Sequence, residues 1–203
     1  MASYRSSITF AAAVLAALAA PVYLLASEKR SEPPGTCFPR TIDPIDVAAP
    51  EPLTPAERLL AEHLARRYMI AGDTVEPMVV AARRAAQQVG LDPLLLLAVV
   101  AVESSFNPVA ESVMGAKGLM QIIPRFHRAR LDSLGGEDAV FDPESNIMAG
   151  AHILQEYVRR TGTLEAGLQF YNGAMRDESA QYARKVMAER ARLARVVSGS
   201  RGG

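Results

Sequence analysis

The sequence predicts an all-α domain over residues 53–203. Three observations carry that expectation. Pairs of a capping residue followed by proline recur along this stretch, at Thr54-Pro55, Asp92-Pro93 and Asp142-Pro143. Apolar residues recur at helical spacing after Thr54-Pro55 and Asp142-Pro143. No segment sustains the alternation of a half-buried strand, so strands should be minor or absent.

Taken in order, Thr54-Pro55-Ala56-Glu57 reads as a capping box, and Leu60, Leu64 and Tyr68 follow at i+4 spacing. A second helix is expected from about Pro77 to Val89, stopped by Gly90. Asp92-Pro93 opens a third, and Asp142-Pro143 opens a fourth that carries Ile147, Leu154 and Val158 toward Gly162. Thr163 starts a short helix toward Tyr171, and the last runs from about Glu178 to Val196. Internal repeats are absent, and the length is ample for one hydrophobic core.

Ahead of this domain, Ile8 to Ala26 form an uncharged run of 19 residues that follows Arg5. Such a run is long enough to span a bilayer and also has the parts of a secretory signal, with Ala17-Leu18-Ala19 as the best cleavage candidate. Residues 1–26 therefore read as a signal peptide or a membrane anchor, and either reading exports the rest of the chain. Residues 27–52 carry Pro33, Pro34, Pro39, Pro44, Pro50 and Pro52, a density that favours an extended linker.

The composition excludes several functions. The 22 Lys and Arg residues balance 22 Asp and Glu, which removes the cationic excess that nucleic-acid binding requires. The single cysteine, Cys37, cannot close an intrachain disulfide, and with His63, His127 and His152 it shows no metal-ligand spacing. No metal and no cofactor are expected. At 49% hydrophobic and 22% charged residues, the composition is that of a globular protein. A basic C-terminal stretch (Arg184, Lys185, Arg190, Arg192, Arg195 and Arg201 against Glu189) reads as a solvated helix face or as a patch for anionic polymers or another protein.

The third helix holds the most informative chemistry. Leu94 to Val102 is apolar on every side and too short to span a bilayer, so it should be buried within the domain. It ends at Glu103. Desolvation by the core and the negative end of the helix dipole both disfavour a carboxylate there, and both raise its pKa. A carboxyl still protonated near neutral pH is what a general acid needs. By position alone, Glu103 could equally mark the solvent edge of a core helix. After it, Asn107-Pro108 breaks the helix, and Gly115-Ala116-Lys117-Gly118 turns the chain toward Gln121, building one wall of a cleft.

The stretch from Glu103 to Pro124, ESSFNPVAESVMGAKGLMQIIP, closely resembles the signature of the soluble-type (SLT) lytic transglycosylases. Two further blocks resemble that family: Phe141-Asp142-Pro143 with Asn146-Ile147 and Gly150, and Tyr171-Asn172-Gly173. The resemblance spans about Thr74 to Glu189. It implies a lysozyme-like helical fold and cleavage of the β-1,4 bond between N-acetylmuramic acid and N-acetylglucosamine in peptidoglycan. The implied mechanism uses one glutamate as acid and then base, with the muramic acid's own 6-hydroxyl closing a 1,6-anhydro ring. Residue by residue, it implies Glu103 as the catalytic group and Ser112, Met120, Gln121, Tyr171, Asn172 and Tyr182 as the substrate-binding set. Within that set, Ser112 and Gln121 contact the sugars, Met120 shapes the cleft wall, and Tyr171 bonds the catalytic carboxyl or the substrate.

No second carboxylate with a matched role is evident near the signature, unlike the usual glycosidase pair. The implied partners are peptidoglycan glycan strands and, in the anchor reading, the inner membrane through residues 8–26. The implied setting is the periplasm, with the chain acting as a monomer. Departures from the family pattern are Gly173 one place early, Phe126 where threonine is common, and a short segment from Met175 to Tyr182. A water-using muramidase and a non-catalytic glycan-binding envelope module are the alternatives.

Overall fold

The computed structural model describes residues 52–199. The expected signal or anchor segment, and all of the expected linker but its last residue, lie outside the described residues. Within them the chain forms seven α-helices and one 3₁₀ turn, and no strand beyond the isolated bridges Glu111–Lys117 and Lys117–Ile122.

Helix α1 (Pro55–Tyr68) begins with the capping box: Thr54 Oγ1 accepts from the Glu57 N–H at 3.2 Å, and Glu57 Oε2 accepts from the Thr54 N–H at 2.8 Å. Helix α2 (Gly72–Val89) starts five residues ahead of the expected Pro77. The N–H groups of Thr74 and Val75 both reach the Ala71 carbonyl, and Val75 is fully buried, so packing extends the helix back past the proline. Only one backbone bond is lost at Pro77.

Helix α3 (Pro93–Glu103) is capped by Asp92, whose Oδ1 accepts from the Leu94 N–H at 2.9 Å. Every residue from 95 to 101 is buried, as its all-round apolar sequence requires. Helix α4 (Pro124–Asp132) was not expected from the sequence. Of its nine residues only Pro124 and Leu131 are buried, too few to imprint a helical period.

A 3₁₀ turn (Glu137–Phe141) leads into α5 (Pro143–Thr161), capped by Asp142 and stopped by Gly162. Helix α6 (Leu164–Tyr171) is capped by Thr163. Helix α7 (Gln181–Gly199) starts three residues after the expected Glu178, because Asp177 and Ser179 form a capping turn and Ala180 adopts φ +48°.

Helix α3 packs against α2, α5 and α7, while α5 bridges α2 and α6. The chain leaves α3 by an abrupt turn in which two consecutive non-glycine residues, Ser105 and Phe106, take left-handed conformations (φ +51° and +65°). Such a conformation is costly for an aromatic residue, and tertiary packing must compensate for it. The Phe106 side chain is fully buried, with its ring 5.0 Å from that of Tyr68 on α1. Burial of this ring anchors the turn that follows Glu103. Phe106→Ala should therefore lower unfolding free energy by about 3–5 kcal/mol, read as a lower denaturant midpoint at unchanged m-value.

Candidate active site

Glu103 is the last residue of α3 and borders an open cleft of about 620 Å³ lined also by Val102, Asn172, Ala174, Asp177, Gln181, Tyr182 and Lys185. Its pKa is raised. The principal cause is desolvation by the surrounding protein; the Tyr182 hydrogen bond and the Lys185 charge oppose it without reversing it. Tyr182, buried in the first turn of α7, donates its hydroxyl to Glu103 Oε1 at 2.5 Å. That bond joins residues 79 positions apart and depends on the packing of α7 on α3. Burial and the adjacent Glu103 charge both push the Tyr182 phenol upward, so it stays a donor throughout the working pH range.

Tyr171 has a different partner. Its hydroxyl donates to the Met120 carbonyl oxygen at 2.8 Å, not to the Glu103 carboxyl. The Met120 N–H in turn donates to Asn146 Oδ1 at 2.8 Å, so both ends of this residue's backbone are clamped. Asn146 is fully buried, and its Nδ2 also donates to the carbonyls of Val140 (2.7 Å) and Lys117 (3.2 Å). Its sequence position at a helix start suggests a structural role of this kind, but not these long-range partners.

Two glycines make the clamp possible. A Cβ on Gly118, which sits at φ +73°, would come within 2.1 Å of the Val140 oxygen and 2.3 Å of Asn146 Nδ2. A Cβ on Gly150 would meet the Met120 sulfur at 2.4 Å.

The remaining candidates take varied places. Met120 is fully buried and supports the cleft wall from behind. Gln121, at φ +49°, borders a second cavity of about 280 Å³ with Phe126, His127, Tyr157, Phe170, Tyr171 and Asn172. Its Nε2 donates to the carbonyls of Gly118 (3.0 Å) and Ala110 (3.2 Å), which commits the nitrogen and leaves the amide oxygen for a ligand. Ser112 borders neither cavity; its hydroxyl accepts from the Ala116 N–H at 3.0 Å and braces the turn. Asn172 borders both cavities and so joins them along one edge.

Sequence reasoning did not single out Asp177 or Gln169, and it read Lys185 only as part of the basic C-terminal stretch. Asp177 is a second carboxylate on the cleft, but it accepts from Ser179 Oγ and from the N–H groups of Ser179 and Gln181, which lowers its pKa. Gln169, buried on α6, ties down the short loop between α6 and α7: its Nε2 donates to the Ala174 carbonyl, and its Oε1 accepts from the Ala183 N–H. A lone polar residue within the otherwise apolar Leu168–Phe170 stretch was the available signal. Among the described residues no cluster of His, Cys, Asp and Glu could hold a metal ion, and no helix is long and apolar enough to cross a membrane.

A family model described as Transglycosylase SLT domain matches residues 80–191. The chain is 44% identical over 89 residues to a transglycosylase of Enterobacteria phage PRD1, covering 44% of this chain and 32% of the relative. It is 37% identical over 107 residues to a membrane-bound lytic murein transglycosylase C of Haemophilus influenzae (strain PittEE), covering 47% and 27%. The chain thus spans about a third or less of the length of these relatives. Its fold matches the crystal structure of an inactive mutant of the lytic transglycosylase Slt from Pseudomonas aeruginosa, with a TM-score of 0.52 at 20% identity, covering 58% of this chain and 24% of that one.

Two outcomes test the site's physics. Because burial raises the Glu103 pKa in the folded state, the native protein holds this proton more tightly than the unfolded chain. Glu103's contribution to stability is therefore highest below its unfolded value of about 4.5 and declines as pH rises through the folded pKa. Glu103→Gln should flatten that decline, so that denaturation curves favour the variant increasingly across this window. Asn146→Ala strands two buried backbone groups, the Met120 N–H and the Val140 carbonyl, at roughly 1–3 kcal/mol each, so its melting temperature should fall steeply.

Proposed function

Since the chain belongs to the transglycosylase SLT domain family, we propose that it is a peptidoglycan lytic transglycosylase. It cleaves the β-1,4 bond between N-acetylmuramic acid and N-acetylglucosamine and leaves a 1,6-anhydromuramic end. The observation that carries this reading is a single protonatable carboxyl, Glu103, desolvated at the end of a buried helix and facing an open cleft.

Glu103 gives its proton to the glycosidic oxygen as the bond from C1 breaks, and the N-acetylglucosamine leaves as its 4-hydroxyl. The resulting carboxylate takes the proton from the muramic acid 6-hydroxyl, whose oxygen closes on C1. Atoms and protons balance without water. Holding both reacting atoms in one sugar supplies a high effective molarity. Tyr182 steadies the carboxylate between the two proton transfers through its donated hydrogen bond.

The state of Asp177 supports a mechanism with one carboxylate. Three donors occupy its oxygens and its pKa is lowered, so it is a poor base for activating water. Gln121 and Asn172 contact the glycan along the two joined cavities, and the Tyr171–Met120–Asn146 clamp holds the Gln121 backbone against them. Ser112 borders neither cavity and serves the same loop by accepting from the Ala116 N–H. The chain acts in the bacterial envelope, exported or tethered through residues 8–26, a setting consistent with the membrane-bound relative.

Mass analysis of muropeptides from purified sacculi tests this reading. The expected products are one water lighter than hydrolytic ones, and Glu103→Gln should reduce their formation at least about 100-fold. Reducing-end products would instead indicate a muramidase. Activity should fall as pH rises through the raised Glu103 pKa, since the acid must begin protonated. Tyr182→Phe removes a donor that stabilises the carboxylate, so it should move that alkaline limb to higher pH while slowing turnover.

A further inference from the structure

The loop between α6 and α7 is where the sequence departs from the family pattern, with Gly173 one place early and a short segment over 175–182. It also borders the catalytic cleft, through Asn172, Ala174, Asp177 and Gln181. One side chain spans it. Gln169, buried on α6, donates its Nε2 to the Ala174 carbonyl at 3.1 Å and, more weakly, to that of Asp177 at 3.5 Å. The Ala174 N–H in turn donates to the Gln169 carbonyl at 2.8 Å, so Gln169 grips Ala174 at both its N–H and its carbonyl.

The oxygen of the same amide crosses to α7, where Gln169 Oε1 accepts from the Ala183 N–H at 3.0 Å. Ala183 is the third residue of α7, a position whose N–H has no acceptor within its own helix. Asp177 Oδ2 accepts from the Gln181 N–H at 3.0 Å, so the first turn of α7 is capped twice, once from its own loop and once from a neighbouring helix. Tyr182 lies between these two capped residues, and its hydroxyl reaches Glu103 Oε1. Ala180, just before the turn, holds φ +48°, a conformation that the surrounding packing must maintain. The aim of the Tyr182 hydroxyl therefore depends on a turn whose buried anchor is the Gln169 amide.

We propose that Gln169 is a positioning residue for the reaction: it fixes the first turn of α7 against α6 and so holds the Tyr182 hydroxyl on the Glu103 carboxyl. The inference rests on the transglycosylase reading of Glu103. Gln169 does not line the catalytic cleft, so it acts through Tyr182. The groups facing Glu103 are Tyr182 and Lys185 of α7, Tyr171 of α6 and Asp177 across the cleft. Among the described residues, α2 and α5 bring no charge that moves it. Loosening the turn weakens the Tyr182 hydrogen bond to the carboxylate, so the carboxyl gives up its proton less readily to the leaving oxygen.

The test compares Gln169→Met, which keeps the side-chain length and removes both hydrogen-bonding ends, with Tyr182→Phe and the double variant, all in the full chain. Two readouts are followed against pH: the Glu103 titration by carbon-13 NMR of the glutamate carboxyls, and kcat for release of anhydro-muropeptides. Gln169→Met should move the titration and the alkaline limb of kcat upward, by less than Tyr182→Phe does, and lower kcat several-fold. In the double variant the shift should equal that of Tyr182→Phe alone, because a residue acting through Tyr182 has nothing left to act on. Hydrogen exchange of the unaltered chain needs no variant: the Ala183 amide should be protected as strongly as amides deep within α7. An unmoved titration in folded Gln169→Met, a shift that adds to that of Tyr182→Phe, or an unprotected Ala183 amide overturns the positioning role. Each of these leaves the transglycosylase reading intact while the unaltered chain releases anhydro-muropeptides. Absence of those products from the unaltered chain overturns that reading, and with it the catalytic meaning of Gln169, whatever the titration shows.

Discussion

The structure depends on withdrawing one carboxyl from water without burying it beyond reach. Helix α3 is apolar on all sides because α2, α5 and α7 cover it, and that cover desolvates the glutamate at its end. A fully sealed carboxyl could not meet a substrate, and a fully exposed one would ionise at ordinary acidity. The open cleft beside Glu103 and the single hydroxyl donated by Tyr182 set the balance between these extremes. The left-handed Ser105-Phe106 turn serves the same end: it removes the chain from the glutamate within two residues, and the buried Phe106 ring offsets its strain.

The wall opposite is held by backbone chemistry more than by side chains aimed at a ligand. Asn146 and Tyr171 grip the two ends of Met120, and glycines at 118 and 150 let these groups approach more closely than any Cβ permits. Several of the motif's residues act on one another: Gln121 on Ala110 and Gly118, Ser112 on Ala116, Asn146 on Lys117. The loop has few bonds of regular secondary structure, so its polar side chains satisfy the buried backbone groups that a helix or sheet would otherwise pair. A motif dense in Gly, Ser, Asn and Gln here specifies a shape first and contacts second.

The face formed by α1 and α7 repeats this arrangement with charge. Glu189 is buried where an anion alone would be costly, and it is compensated by the guanidiniums of Arg67 and Arg192 and the Tyr68 phenol. The same pairing leaves the outer faces of the arginines ordered and in contact with solvent. Lys185 belongs to both this face and the catalytic cleft, so the charge that tempers the Glu103 pKa also lines a neighbouring groove.

The sequence by itself determined the helical class, the starts of α1, α3, α5 and α6, and a carboxyl at the end of a buried helix, because caps, prolines and apolar runs act within a few residues of one another. It missed α4, whose nine residues bury too little to show a period, and it placed the starts of α2 and α7 several residues away from their packed positions. Only the tertiary structure decided which tyrosine reaches Glu103. Tyr171 and Tyr182 both stand in family-like positions, yet the docking of α7 on α3 brings Tyr182 to the carboxyl, while α6 turns Tyr171 toward Met120. The surroundings of Asp177, Lys185 and the buried Glu189 became visible for the same reason: a side chain's electrostatic neighbours are set by how distant helices meet, and local sequence spacing does not record that.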